Sequence, residues 1–121
     1  VHALRIVDGS KVWSTPAIRP PCAGKPGCTA AVMAALTVID SVVFAGSMDG
    51  MLRAYETKNG EMIWEFDSNR AFPTVNGVAG RGGSLSSSGP VIANGMLFLN
   101  SGYGILGGMP GNVLLALTPS N

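Results

Sequence analysis

Apolar residues along this chain come in short runs cut by turn residues, and the runs read as strands. Residues 41–47 are apolar, β-branched and aromatic, bounded by Asp40 on one side and Asp49-Gly50 on the other. This is the pattern of a buried strand. Residues 51–56 alternate apolar and polar, as a half-buried strand does. Asn59 and Gly60 supply the next turn, and residues 61–66, carrying Trp64, form another strand. The Ala-rich run 30–39 has a composition that also suits a helix. Its turn at Asp40 and Ser41 makes it instead the innermost strand of the same unit. Residues 30–67 are therefore expected to be one sheet of four antiparallel strands.

A repeat extends this reading beyond the unit. Ala3, Gly9 and Trp13 spell A-x5-G-x3-W, and Ala54, Gly60 and Trp64 spell it again at a constant offset of 51 residues. Self-similarity at such a period marks a repeat architecture. The expected fold is all-β, a partial β-propeller of four-stranded antiparallel blades. Residues 1–29 give the end of one blade and a Cys-bearing loop, 30–67 a full blade, and 68–121 a loop followed by strands of the next. Two connections are long, 71–84 and 102–111, and both leave the same end of a blade. Loops carried on a rigid scaffold are where function concentrates.

Composition narrows the class. Charged residues are 12% and the formal charge is +1, so there is no basic stripe for nucleic acid. No apolar run approaches the roughly 20 residues of a membrane-spanning helix. The start lacks Met and falls within a strand pattern, so the chain reads as a piece of a longer protein. Cys22 and Cys28 sit in a Pro/Gly loop, where they can close a small disulfide or remain two thiols. A zinc site would want more ligands than these and the distant His2. No haem-attachment motif is present. No Ser/His/Asp or Cys/His constellation can be assembled.

The A-x5-G-x3-W repeats resemble the tryptophan-docking motif of pyrroloquinoline-quinone (PQQ) dehydrogenases, which are eight-bladed propellers. Residues 42–55, 75–78, 82–84, 100–104 and 107–116, with the paired-Cys loop, are similar to the polyvinyl-alcohol dehydrogenases among them. The resemblance covers almost the whole chain and implies the C-terminal blades of a periplasmic quinoprotein. Such a protein would oxidise secondary alcohols with PQQ and Ca²⁺ and pass electrons to a cytochrome c. The chain departs from the motif at Arg5 and Glu56, where the family usually has Asp, which puts the hydrogen bonds of those turns in question.

The same resemblance nominates residues. Gly82 and Gly83 would allow close backbone approach to a planar quinone, with Asn76 beside them, or else belong to a plain surface loop. Arg81 would pair with a cofactor carboxylate or stay solvated. Asn100, Tyr103 and Asn112 frame the second loop, with Tyr103 at a substrate entrance or packed over the loop's own glycines. Trp13 and Trp64 are expected to pack between blades, and Asp49 to serve its turn. No catalytic residue or metal ligand is assigned. The alternative function is a non-enzymatic propeller that serves as a protein-binding or assembly scaffold. Taken alone, the chain is expected to be catalytically inert, and marginal or self-associating because its outer faces lack neighbours.

Overall fold

A computed structural model describes residues 1–16, 18–86, 88–104 and 107–119. The described residues are all-β, as expected, in eleven strands. They comprise β1 (His2–Leu4), β2 (Lys11–Ser14), β3 (Thr37–Ile39), β4 (Val42–Gly46), β5 (Met51–Glu56) and β6 (Met62–Asp67). After these come β7 (Ala71–Phe72), β8 (Gly80–Arg81), β9 (Val91–Ala93), β10 (Met96–Ser101) and β11 (Val113–Leu117). Strands β3 to β6 form an antiparallel sheet in chain order, the full blade. Strands β1 and β2 make a hairpin before it, and β9 to β11 a three-stranded sheet after it. No helix among the described residues is long and apolar enough to cross a membrane.

The sequence repeat is a structural one. Ala3 pairs with Trp13 and Ala54 with Trp64, and each hairpin shifts register just after its alanine. In each turn the glycine donates to the carbonyl four residues back, in an identical frame: Gly9 N to Arg5 O at 2.8 Å and Gly60 N to Glu56 O at 2.9 Å. The departures at Arg5 and Glu56 therefore leave these turns intact, because backbone atoms make the bonds. The side chain that matters is the one preceding the glycine. Asp8 accepts from Ser10 N and Asn59 from Glu61 N, both at 2.9 Å. That bond holds the Asp8 carboxyl below its usual pKa. The next blade keeps the frame too, with Phe44 opposite Ala54 and Phe98 opposite Ala116.

Two features differ from the sequence reading. The innermost strand covers only Thr37–Ile39, because the ladder stops at the Thr37–Phe44 pair. Beyond it Leu85 and Ala34 press against Gly46, and the Ala31 carbonyl accepts from Met48 N instead. The 71–84 connection also contains a small ribbon, β7 paired with β8. The centre of the 102–111 loop, Ile105 and Leu106, lies outside the described residues.

Strand β5 is buried from Met51 to Tyr55, not on one face only, because layers cover both sides of the blade. Leu52 joins Leu85, Leu97, Leu99, Val113 and Leu115 in a core against the third sheet. Burial of each large apolar side chain there contributes about 1.5–3 kcal/mol. On the other face Val43, Ala45 and Tyr55 pack with Val1 and Trp13 of the first hairpin. Burial raises the Tyr55 hydroxyl above its ordinary pKa and keeps it neutral.

Trp13 fastens that second face. Its indole Nε1 donates to the Thr57 carbonyl at 2.7 Å, and its ring covers Gly60, where a Cβ would fall 2.5 Å from Cε3. Trp64 stacks on Phe66 and meets Phe44 edge-on, and it remains 42% exposed. Gly9 and Gly60 have nearly the same positive φ, 70° and 75°, but only Gly60 has a neighbour to collide with. Gly9→Ala should therefore cost backbone strain alone, about 1 kcal/mol. Gly60→Ala should cost about 1–3 kcal/mol more by unseating Trp13. Urea denaturation of the two variants checks this, and equal losses would mean the indole contributes little.

Candidate functional site

Four connections converge at one end of the blades, and each is tied to the others by atoms far apart in sequence. They are the 18–36 link, the 47–50 turn, the 68–90 link and the 102–112 loop. The 47–50 turn is held from within. Asp49 is buried and takes the buried Arg53 guanidinium at 2.7 Å, a Met51 N–H at 3.0 Å and the Ser47 hydroxyl at 2.5 Å. Arg53 Nη1 also donates to Ser47 Oγ at 2.8 Å. Glu65 stands 3.7 Å from Arg53 Nε, which has no hydrogen-bond partner among the described residues.

Serine hydroxyls join the turn to both long connections. Ser68 Oγ donates to the Gly50 carbonyl at 2.7 Å and accepts from Ser101 Oγ at 2.7 Å. Ser101 Oγ in turn accepts from Gly83 N at 2.9 Å. Ser84 Oγ donates to the Met48 carbonyl at 2.6 Å and accepts from Met109 N at 2.8 Å. Its own N–H donates to the Met109 carbonyl at 2.9 Å. Asn112 clasps β8 with three bonds, accepting from Arg81 N and donating to Arg81 O and Ala79 O. Every buried polar group paired this way avoids the roughly 1–3 kcal/mol cost of an orphan.

The Cys22–Cys28 disulfide is formed, so neither thiol is free. Cys22 is buried, and its Sγ lies 3.5 Å from the Asp49 carbonyl. Among the described residues no group of three or more His, Cys, Asp or Glu is placed to hold a metal ion.

The residues nominated from the sequence fall in different places. Gly82 and Gly83 are buried, and the backbones their missing Cβ atoms admit are the chain's own, those of Ser68 and Met109. Arg81 is exposed and joins the array through its main chain. Asn76 stands at the tip of the β7–β8 ribbon, where its Oδ1 accepts from Val78 N at 3.2 Å. Asn100 and Tyr103 are exposed on either side of buried Ser101 and Gly102. The structure thus joins Gly82, Gly83 and the Arg81 backbone to the 102–112 loop and leaves Asn76 apart.

The sequence reading missed Ser68, Ser84 and Ser101, which carry no spacing signal in loops rich in Ser and Gly. It also missed Ser86, a buried residue whose Oγ has no hydrogen-bond partner among the described residues. Gly104 covers that oxygen so closely that a Cβ would fall 2.8 Å away. Arg53 was missed as well, because it reads as the polar side of an alternating strand.

Repeated antiparallel blades with their long connections gathered at one end define a β-propeller segment, and comparison with known proteins gives its family. No family model matches the chain. It is 45% identical, over 98% of its length, to a polyvinylalcohol dehydrogenase from Pseudomonas sp.. It is 38% identical over 75% of its length to another from Sphingopyxis sp. (strain 113P3). A 1-butanol dehydrogenase (cytochrome c) from Thauera butanivorans shares 35% identity over 54% of the chain. The chain is homologous to a segment of the polyvinylalcohol dehydrogenases. It spans 20% and 15% of the lengths of the first two relatives.

Asp49→Ala should leave the Arg53 guanidinium buried without its carboxylate, at a cost of about 3–5 kcal/mol. The double change Asp49→Leu with Arg53→Met should recover only part of that loss, since the buried Met51 N–H still lacks its acceptor. Chemical denaturation of both variants checks it, and a loss below 1 kcal/mol for the single change would mean water reaches the guanidinium.

Proposed function

We propose that this chain is part of a PQQ-dependent alcohol dehydrogenase acting on secondary alcohols of the polyvinyl-alcohol type. The observation that carries the reading is the 45% identity to a polyvinylalcohol dehydrogenase over 98% of the chain, a span that includes both long connections. The proposed place in the parent is the C-terminal blades, with 1–29, 30–67 and 68–121 as successive units. A periplasmic location accords with the disulfide, which persists in oxidising compartments. A cytochrome c as acceptor is suggested by the name of the butanol-oxidising relative.

The residues present fit a planar, anionic quinone at the gathered loops. Ser86 Oγ is a buried donor with no acceptor among the described residues; Arg81 is exposed on the same 68–90 link, and Asn100 and Tyr103 are exposed where β10 leads into the 102–112 loop. When bound, PQQ supplies a two-electron acceptor for the carbinol C–H of the alcohol. This chain's part is to bind and orient. Arg81 offers a guanidinium to a carboxylate, Asn100 an amide to a carbonyl, and Tyr103 an aromatic face at the mouth. Gly82 and Gly83 act indirectly, by letting the 68–90 link lie flat on the 102–112 loop. No calcium contact is assigned to these residues, and any calcium would be held by other blades.

Titration of the complete protein with PQQ and Ca²⁺, followed by quinone absorbance and dye-linked oxidation of secondary alcohols, tests the reading. Saturable binding with turnover is expected. Arg81→Ala should raise the PQQ Kd about tenfold, the worth of one charge-assisted hydrogen bond. A folded protein that binds no quinone would overturn the enzyme reading and leave a scaffold.

A further inference from the structure

The disulfide ring touches down on a loop it does not adjoin in sequence, and its two glycines separate that contact from strain. Within the ring, Gly27 has φ +76°, and a Cβ there would fall 2.6 Å from the Gly107 carbonyl oxygen and 3.0 Å from Met109 N. Gly24, at φ +89°, has nothing within 4 Å. Met109 is the residue that exchanges hydrogen bonds with Ser84, through N to Ser84 Oγ and through O from Ser84 N. The ring belongs to the link before the full blade, and the segment under Gly27 belongs to the sheet after it.

We propose that the Cys22–Cys28 ring is a positioning clamp, pressing Gly27 onto the 107–109 segment and holding Met109 in its bonds with Ser84. Three features support this. Among the described residues the ring segment has no strand ladder, and its backbone bonds are the turn bonds Ala23 N to Pro20 O, Lys25 N to Cys22 O and Cys28 N to Lys25 O. Without the bridge, a Pro/Gly segment held by three turn bonds has many other conformations to visit. The contact surface is backbone on backbone, so it has no side chain that could adjust to a displaced ring. Buried Cys22 against the Asp49 carbonyl fixes the other end of the ring to the most tightly held turn of the array. The clamp therefore links the 18–36 connection, the 47–50 turn and the 102–112 loop. It acts on the chain's own loops and does not depend on what binds there.

Amide hydrogen exchange on the folded protein that carries this chain tests the clamp. It is run with the bridge intact, after dithiothreitol, and on the double variant C22S/C28S. Dithiothreitol gives the bridge two electrons and two protons and ends as its own cyclic disulfide. The Ser84 and Met109 amides should exchange about tenfold faster in both bridge-free forms, while the ladder amides of β4 and β5 keep their rates. Gly27→Ala, with the bridge intact, should reproduce the effect, and Gly24→Ala should not. Unchanged Ser84 and Met109 rates on reduction would overturn the proposal. So would equal acceleration of the β4 and β5 amides, or a Gly24→Ala that matches Gly27→Ala.

Discussion

Where the space beside a residue's Cα is already filled by another part of the chain, only glycine fits, and this protein uses that constraint at both ends of its blade. At one end Gly60 lets the Trp13 indole lie on the turn between β5 and β6. At the other, Gly82 and Gly83 let the 68–90 link lie on Ser68 and on Met109. A methyl group would displace the Trp13 indole at the first contact and main chain at the second. The blade itself is held by ordinary burial on two faces. What glycine adds is registration, which fixes each hairpin and loop against the neighbouring sheet.

Hydrogen bonding then locks what the glycines admit. Hydroxyls of Ser68, Ser84 and Ser101 each serve main-chain or hydroxyl partners from other connections. Small donors of this kind reach a carbonyl without holding two backbones apart, as a longer side chain would. The Asp49–Arg53 pair provides the fixed point, since its turn supplies the carbonyls of Ser47, Met48 and Gly50 that the other loops use. A rigid end of this kind is what a binding site needs, because groups already held in place lose little freedom when a ligand arrives.

The strands were legible because alternation and turn chemistry agree. The strands within residues 41–66 are legible from β-branched runs punctuated by Asp-Gly and Asn-Gly, although the alternation over 51–56 suggests one buried face where β5 is buried on both, and the A-x5-G-x3-W repeat marks two hairpins. The Ala-rich 30–39 run was overextended because its alanines are small for packing reasons, with Ala34 set against Gly46. The β7–β8 ribbon has two residues on each side, too few for any periodicity. Arg53 looked like the polar side of a half-buried strand, and only the first hairpin on that face makes it interior. The bonds of Ser68, Ser84 and Ser101 to other connections join residues 18 to 36 positions apart, a relation no local pattern carries.

An experimental structure of the complete protein with PQQ bound is the most direct measurement of whether this end of the blades is the working face. The quinone should lie over the loops that follow β4, β6 and β10, within hydrogen-bond reach of Ser86 or Arg81. A quinone seated at the opposite end, beside the Gly9 and Gly60 turns, would contradict the assignment, as would a complete ring in which these loops separate.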